Sequence, residues 1–296
     1  MKLSFWTKLI ICFLMLFVAD KLIGVIMNYA VMHVKNGSIY EMKYKLFEAR
    51  PSIIILGSSR ANHHYNTHLI EEKFQKKTIN YGQDGTGIPY YFLVLKTLMK
   101  YHKPDMVIVD VKPDEFAPLP NFNPLSTLYP FIDKVAIETR DLEQISPYEN
   151  LQLKSNAYRF NNQVIETFSS MRGSKEDTQS ITGYLPLPAE KRSLKKIDYS
   201  NTQFESSMFS YFLQLIELCK KNNIKLVLCA SPYYYNVMYD KSIKEAEQVC
   251  KKENIQFLNY FNNRLHYFPG ELFRDEGHLN GEGADIFTKD FLSRIQ

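Results

Sequence analysis

Hydrophobic positions at the start of the chain follow no polar period. The run LIICFLMLFVA from Leu9 to Ala19 is uncharged, Asp20 and Lys21 interrupt it, and LIGVIMNYAVMHV follows. The first run alone is too short to cross a bilayer, but the joined segment is long enough. Its charge pair is costly at mid-bilayer unless paired, snorkelling or buried against protein. Three readings compete. A single span with its N-terminus inside uses Lys2, Lys8 and the amino group as its positive end. A cleaved signal peptide shares the basic start, although no small-x-small cleavage site follows. A soluble amphipathic or core helix is the third. The span is the reading adopted, with the remainder of the chain extracytoplasmic. Secretion after cleavage is the secondary form.

After the linker HVKNGSIYEMKYKLFEAR the pattern alternates between strand and helix signals. SIIILG after Pro51 reads as a buried strand, Thr78–Tyr81 as a second and Met106–Val111 as a third. Ile88–His102 carries apolar residues at helical spacing. The rhythm breaks from Pro113 to Gln203, where helix is expected around residues 131–143 and 148–168 and no core strand is evident. It resumes with a helix at Ser206–Asn222, a strand at Ile224–Ala230, a helix at Lys241–Lys252, a short strand at Ile255–Leu258 and a closing helix at Gly281–Ile295. This order predicts an α/β fold, a parallel sheet of about five strands covered on both faces. The expected division is an anchor and linker over 1–50 and an α/β domain over 51–296. Residues at about 115–205 form a helical and loop insertion capping the core.

Composition narrows the function classes. The 296 residues are 45% hydrophobic and 23% charged, which excludes a collagen-like or wholly disordered chain. A net charge of +4 on this length is too small to point to nucleic acid. The basic clusters Lys191–Arg192, Lys195–Lys196 and Lys220–Lys221 read as solvated faces. Four cysteines, Cys12 among them inside the apolar run, are too few for a disulfide scaffold and lack metal-ligand spacing. Tyrosine and phenylalanine, at 20 each, are in excess. The excess suits core packing, and it equally suits a crevice for sugars.

Two places carry candidate chemistry. GSSR at 57–60 directly follows the first strand, where ligand and catalytic groups gather in open α/β sheets. Taken alone it also reads as a helix cap, since serine is a preferred N-cap. Near the other end lies DEGHLN, with Asp275 and His278 three apart. A carboxylate on one imidazole nitrogen and a nucleophile at the other make an activated serine. Ser59 could complete that set across the sheet edge. Asp275 and His278 alone also read as surface residues. His63, His64 and His68 form no recognised zinc pattern, and no metal or cofactor is expected.

Together these motifs resemble the SGNH, or GDSL-like, serine hydrolases and acyltransferases. GSSR matches the family's Gly-Asp-Ser block with Ser58 in place of Asp, and DEGH matches its terminal Asp-x-x-His block. GEGADIF after HLN looks like the tail that closes the fold. INYGQDG matches the second block. The resemblance covers Ser52 to Ile295, interrupted by the insertion. It implies a three-layer α/β/α, flavodoxin-like sandwich. It also implies Ser59 as nucleophile, Asp275 and His278 as its partners, and an oxyanion hole from the N–H groups of Ser59 and Gly85, with Gly82 as the weaker alternative. The third block departs from the family: where it carries Gly-x-Asn-Asp, this chain has KPDEF, and Pro113 replaces the Asn. Proline offers no side-chain donor and no N–H. Arg60, Lys112 or an insertion residue are the substitutes to test, and Asn280, Tyr233 and Tyr234 are further auxiliary candidates.

The expected function is a membrane-anchored serine esterase or O-acyltransferase, acting through an acyl-Ser59 intermediate on acyl, chiefly acetyl, esters of an envelope or exported polysaccharide. The expected partners are an acylated carbohydrate or small acyl ester, the membrane through the N-terminal helix, and a membrane-bound acyl donor. Nucleic acid is not expected. A lipase and phosphate-ester chemistry at the GSSR turn are lesser alternatives. From another class, a non-catalytic glycan-binding or polysaccharide-assembly protein retaining the fold is favoured by the Pro113 departure.

Overall fold

The computed structural model describes residues 3–118, 123–161, 163–174, 176, 178, 181–190, 199, 202–235, 240–261 and 269–295. The basic clusters at 191–196 therefore lie outside the described residues. The chain divides into two compact units, residues 1–44 with 126–178, and residues 45–125 with 179–296.

The second unit is built on five parallel strands, β1 (Ile53–Leu56), β2 (Thr78–Asn80), β3 (Met106–Asp110), β4 (Lys225–Ala230) and β5 (Gln256–Asn259), in the order β2-β1-β3-β4-β5. This is the flavodoxin-like order, in which ligands bind beyond the carboxyl ends of the strands. β1 and β3 are buried at every position, which explains why they read as continuous apolar runs instead of alternating ones. Ile53, Ile55, Ile108, Val227 and Cys229 pack on one face against Tyr65, Phe287 and Phe291. The last two belong to the closing helix α12 (Gly281–Arg294), and their rings meet Tyr65 edge-on at 5.1 and 5.4 Å. α5 (Ile88–Leu98) and α10 (Ser206–Lys221) pack on each other, and α10 also contacts β4. α10 buries Met208, Tyr211, Phe212, Leu215, Ile216 and Cys219, the helical spacing visible in the sequence. Between β4 and β5, α11 (Lys241–Glu253) is capped by Asp240, whose Oδ1 accepts from Ile243 N at 2.8 Å.

The other unit pairs the N-terminal helix with part of the expected insertion. α1 (Phe5–Met32) is long and apolar enough to cross a membrane. α2 (Gly37–Phe47) follows it. Among its described residues the segment 126–178 does not form two continuous helices. It holds a 3-10 turn at Ser126–Phe131 and the short helices α6 (Thr139–Glu143), α7 (Glu149–Gln152), α8 (Asn156–Arg159) and α9 (Val164–Arg172). The chain breaks before α8 because Ser155 adopts extended backbone and caps a new helix. α8 and α9 pack against α1, where Gly24 is closed over by Asn156: a Cβ on that glycine would lie 2.5 Å from the Asn156 side chain. Arg159 binds the pieces together. It donates to Tyr129 O, Pro130 O, Asp133 and Asn28 at 2.8–3.0 Å.

Candidate active site

The site gathers at the carboxyl ends of β1, β3 and β4. β1 is followed by Gly57, where the backbone passes so close to its neighbours that a Cβ would sit 2.5 Å from the Ala61 Cβ. Ser58 and Ser59 then start α3 (Ser59–His64), which α4 (Thr67–Phe74) follows. As a first-turn residue Ser59 has a backbone N–H with no intrahelical acceptor. Its Oγ lies 2.7 Å from His278 Nε2, across 219 residues of chain. His278 Nδ1 in turn lies 2.8 Å from Asp275 Oδ1, which also accepts from the N–H groups of Gly277 and His278 at 3.0 Å. Burial works against the Asp275 charge, but these hydrogen bonds outweigh it and hold its pKa below the ordinary value. The three residues expected from the sequence are thus brought together in one hydrogen-bonded line.

Two cavities flank Ser59. One, about 260 Å³, is bounded by Gly85, Thr86, Gly87, Ile88, Pro89, Glu115 and the prolines 118 and 124. The other, about 370 Å³, lies on the His278 side with Tyr199, Tyr233, Pro113 and Glu276 in its wall. Lys112 and Asp114 border both. Gly85 sits in a turn with φ 74°, a left-handed conformation that glycine adopts without strain. The N–H of Gly82, by contrast, donates to Asn80 Oδ1 at 2.8 Å and is thereby committed elsewhere.

The auxiliary candidates separate. Arg60 is buried and borders the larger cavity. It pairs with Asp110 at 3.3 Å and donates to Gly277 O, Ser231 O and Ser231 Oγ. Its guanidinium also stacks over Tyr233 and Phe261, at 5.6 and 5.3 Å from the ring centroids. These partners commit it to holding the loops that carry the site, not to replacing a third-block donor. Lys112 pairs with Asp114 at 2.6 Å. Burial disfavours its charge, but Glu115 and Asp114 more than compensate and raise its pKa. Asn280 is the cap of α12: its Oδ1 accepts from Gly283 N and its Nδ2 donates to Glu271 O. Tyr233 lines the larger cavity and shares a 3.1 Å hydroxyl contact with Tyr199. Tyr234 instead packs edge-on against Phe273 and Tyr235.

Four features escaped the sequence reading. Asp110, at the end of β3, is a buried acid accepting from Tyr65 Oη and Ser231 N as well as Arg60. His64 is fully buried. The Leu279 N–H donates to its Nε2, so its Nδ1–H donates to Ser231 Oγ and the ring is neutral. Burial, with Arg60 next in effect, holds its pKa well below the usual value. His63 has both ring nitrogens on acceptors, Leu185 O and Asp84, and its ring meets His278 edge-on at 5.7 Å. Glu115 is buried with Oε2 accepting from Lys112 N and Tyr91 Oη, while Oε1 has no hydrogen-bond partner. Burial pushes its pKa up to about 7. The one signal for these groups was position, since 60–64 and 110–115 follow strand ends. Nothing local marked them as buried.

No protein-family model and no curated protein sequence matches the chain. Solved structures with a similar chain path include an acetyl xylan esterase, AlAXEase, at 15% identity and TM-score 0.43, covering 82% of this chain and 100% of that one. A putative acylhydrolase from Bacteroides fragilis aligns at 13% identity and TM-score 0.39, covering 82% and 86%. A GDSL-like lipase from Bacteroides thetaiotaomicron aligns at 14% and 0.39, covering 86% and 97%. Likeness at these values carries no statement about activity.

Proposed function

We propose that the protein is a membrane-anchored serine ester hydrolase or O-acyltransferase of the SGNH type, with its α/β unit outside the cytoplasm. The observation that carries this reading is the 2.7 Å approach of Ser59 Oγ to His278 Nε2, with Asp275 2.8 Å behind the other ring nitrogen. A serine hydroxyl is a weak nucleophile until a base takes its proton. His278 Nε2 accepts that proton as Oγ attacks the ester carbonyl. Asp275 fixes the Nδ1–H tautomer and stabilises the imidazolium. The N–H groups of Ser59 and Gly85 receive the developing oxyanion. As the C–O bond breaks, His278 returns the proton to the leaving alcohol and leaves acyl-Ser59. Water, or a sugar hydroxyl deprotonated by the same His278, then takes the acyl group and regenerates the serine.

The two cavities fit that division of labour. The smaller, walled by Ile88, Pro89, Ala117, Pro118 and Pro124, suits a short acyl chain. The larger, with Tyr199 and Tyr233 on the side of the proton-returning histidine, suits a sugar alcohol. The proposed substrates are acyl, chiefly acetyl, esters of an envelope or exported polysaccharide. A membrane-bound acyl donor is the partner in the transferase form.

Labelling with a serine-directed fluorophosphonate tests the reading. The wild-type protein should label and turn over acetyl esters, and Ser59→Ala should do neither. Product analysis with sugar acceptors then separates transferase from esterase. Because Pro113 offers no third-block donor, the second reading is a non-catalytic glycan-binding or assembly protein. Absence of both Ser59-dependent labelling and turnover would select it.

A further inference from the structure

From residue 5 to 19 nearly every side of α1 is exposed, and the side chains there are almost all apolar. From residue 20 the helix has two characters. Gly24, Met27, Ala30 and Val31 are buried, whereas Leu22, Ile23, Val25, Ile26 and Tyr29 remain exposed. α8 and α9 pack against this helix, and Asn156 of α8 closes over Gly24.

The length of the helix fixes what this means. A hydrocarbon core of about 30 Å takes about 20 helical residues. At about 1.5 Å per residue, the stretch from Phe5 to Ala19 spans only about 22 Å. A span that begins at Phe5 therefore continues past Asp20 to the neighbourhood of Gly24, where α8 is already packed. The Asp20 carboxylate accepts from Ser155 Oγ at 2.8 Å, Ala157 N at 2.9 Å and Asn156 Nδ2 at 3.1 Å. Lys21 reaches Lys154 O at 3.3 Å and Asp20 at 3.6 Å. These are the partners a charge needs where water is scarce. The outward side of the same segment is apolar: Tyr148, Leu151, Tyr158, Val164, Ile165 and Phe168 are exposed, Ile165 by 85%. Gln152, Lys154 and Asn161 are exposed among them. Aromatic and aliphatic side chains mixed with a few polar ones are the composition of the headgroup boundary.

We propose that residues 146–172 are a second membrane-contact element, seated in the headgroup boundary of the leaflet into which the C-terminal half of α1 rises, where their hydrogen-bond donors satisfy the Asp20 carboxylate. The inference rests on α1 being a span. Its occupant is lipid, because the exposed apolar surface continues that of the span itself.

Fluorophore-labelled full-length protein in mixed phosphatidylcholine and phosphatidylglycerol vesicles tests it. Cys12 is exposed and the other three cysteines are buried, so Cys12 takes the label in the wild type. Ile165→Cys and Leu151→Cys on a Cys12→Ser background report the new element. Deeply spin-labelled lipid should quench the Cys12 label. Shallow spin-labelled lipid should quench the labels at 165 and 151, with a blue shift and loss of iodide quenching relative to the free fluorophore in buffer. Quenching at Cys12 with water-like emission at 165 and 151 would overturn this proposal alone and assign the apolar side to a protein partner. No lipid quenching at Cys12 would overturn the span and the proposal together.

Discussion

Replacing Arg60 by methionine keeps most of the side-chain volume and removes the charge from beneath the site. The structure sets the scale of the loss. Arg60 and Asp110 form a pair with 4% and 0% side-chain exposure, so neither charge can turn to water when the other is removed. Breaking such a buried pair by deleting one partner costs about 3–5 kcal/mol. Asp110 keeps Tyr65 Oη at 2.8 Å and Ser231 N at 3.0 Å, which places the expected loss near the lower end, about 3 kcal/mol. That is roughly a hundredfold or more in the unfolding equilibrium. The loops held by Arg60, at Ser231 and Gly277, also lose their anchor, so Ser59-dependent ester turnover should fall with stability. Urea unfolding of wild type, Arg60→Met, Asp110→Asn and the double variant gives the coupling directly. The double variant should be more stable than Arg60→Met, because it no longer buries a lone carboxylate. A loss under about 1 kcal/mol in the single variant, or no recovery in the double, would refute the reasoning.

Asp275→Asn should retain the fold yet lower kcat for acetyl esters by about four decades, because the amide favours the wrong imidazole tautomer; turnover within tenfold of wild type would remove Asp275 from the mechanism. Glu115 titrates near pH 7 in the folded chain against an ordinary value of 4.5, so folding favours its protonated form. Its burial therefore costs nothing extra below pH 4.5 and becomes progressively unfavourable as pH rises to about 7. Glu115→Gln should gain on wild type across that window, and a pH-independent difference in urea midpoint would contradict it. His63 behaves in the opposite sense to an ordinary buried imidazole. Burial lowers its pKa, but Asp84 and Leu185 O outweigh burial and raise it above 6.5. The stability it contributes is fully present below pH 6.5 and is lost as pH rises through the raised value. His63→Gln should destabilise most in acid and least in alkali; equal losses at both ends would sink this assignment.

The sheet was legible because parallel strands buried on both faces leave continuous apolar runs such as IIIL and MVIVD, and α10 because its apolar residues recur at helical spacing. The resemblance carried by GSSR, INYGQDG and DEGH anticipated that Ser59, Asp275 and His278 would come together, and the structure brings them into hydrogen-bond distance. Asp110, His64 and Glu115 stayed hidden for a physical reason. A buried polar residue is recognisable only through its partners, and Asp110 finds Ser231 at a separation of 121 residues. The segment 126–178 was illegible in the same way. Its helices are too short to stand by propensity and take their order from packing, α8 and α9 on α1 and α6 on α7. Asp20, read from the sequence as a cost, is satisfied by Ser155, Asn156 and Ala157, which nothing near it in the chain foretold.

The separation of 219 positions between Ser59 and His278 also sets a timetable for synthesis. Ser59 emerges early, just after the first strand of the sheet, but its base and the carboxylate behind it are added only when most of the chain has been made. β5 and α12 are the late pieces of the sheet unit, so the His278 loop docks after β1, β3 and β4 are available to pair. A nascent or prematurely terminated chain thus carries an inert serine, and the proposed hydrolytic chemistry switches on only once synthesis has passed residue 278. Chains stalled before residue 275 should not take up fluorophosphonate at Ser59, whereas full-length chains stalled on a C-terminal extension long enough to bring α12 out of the exit tunnel should.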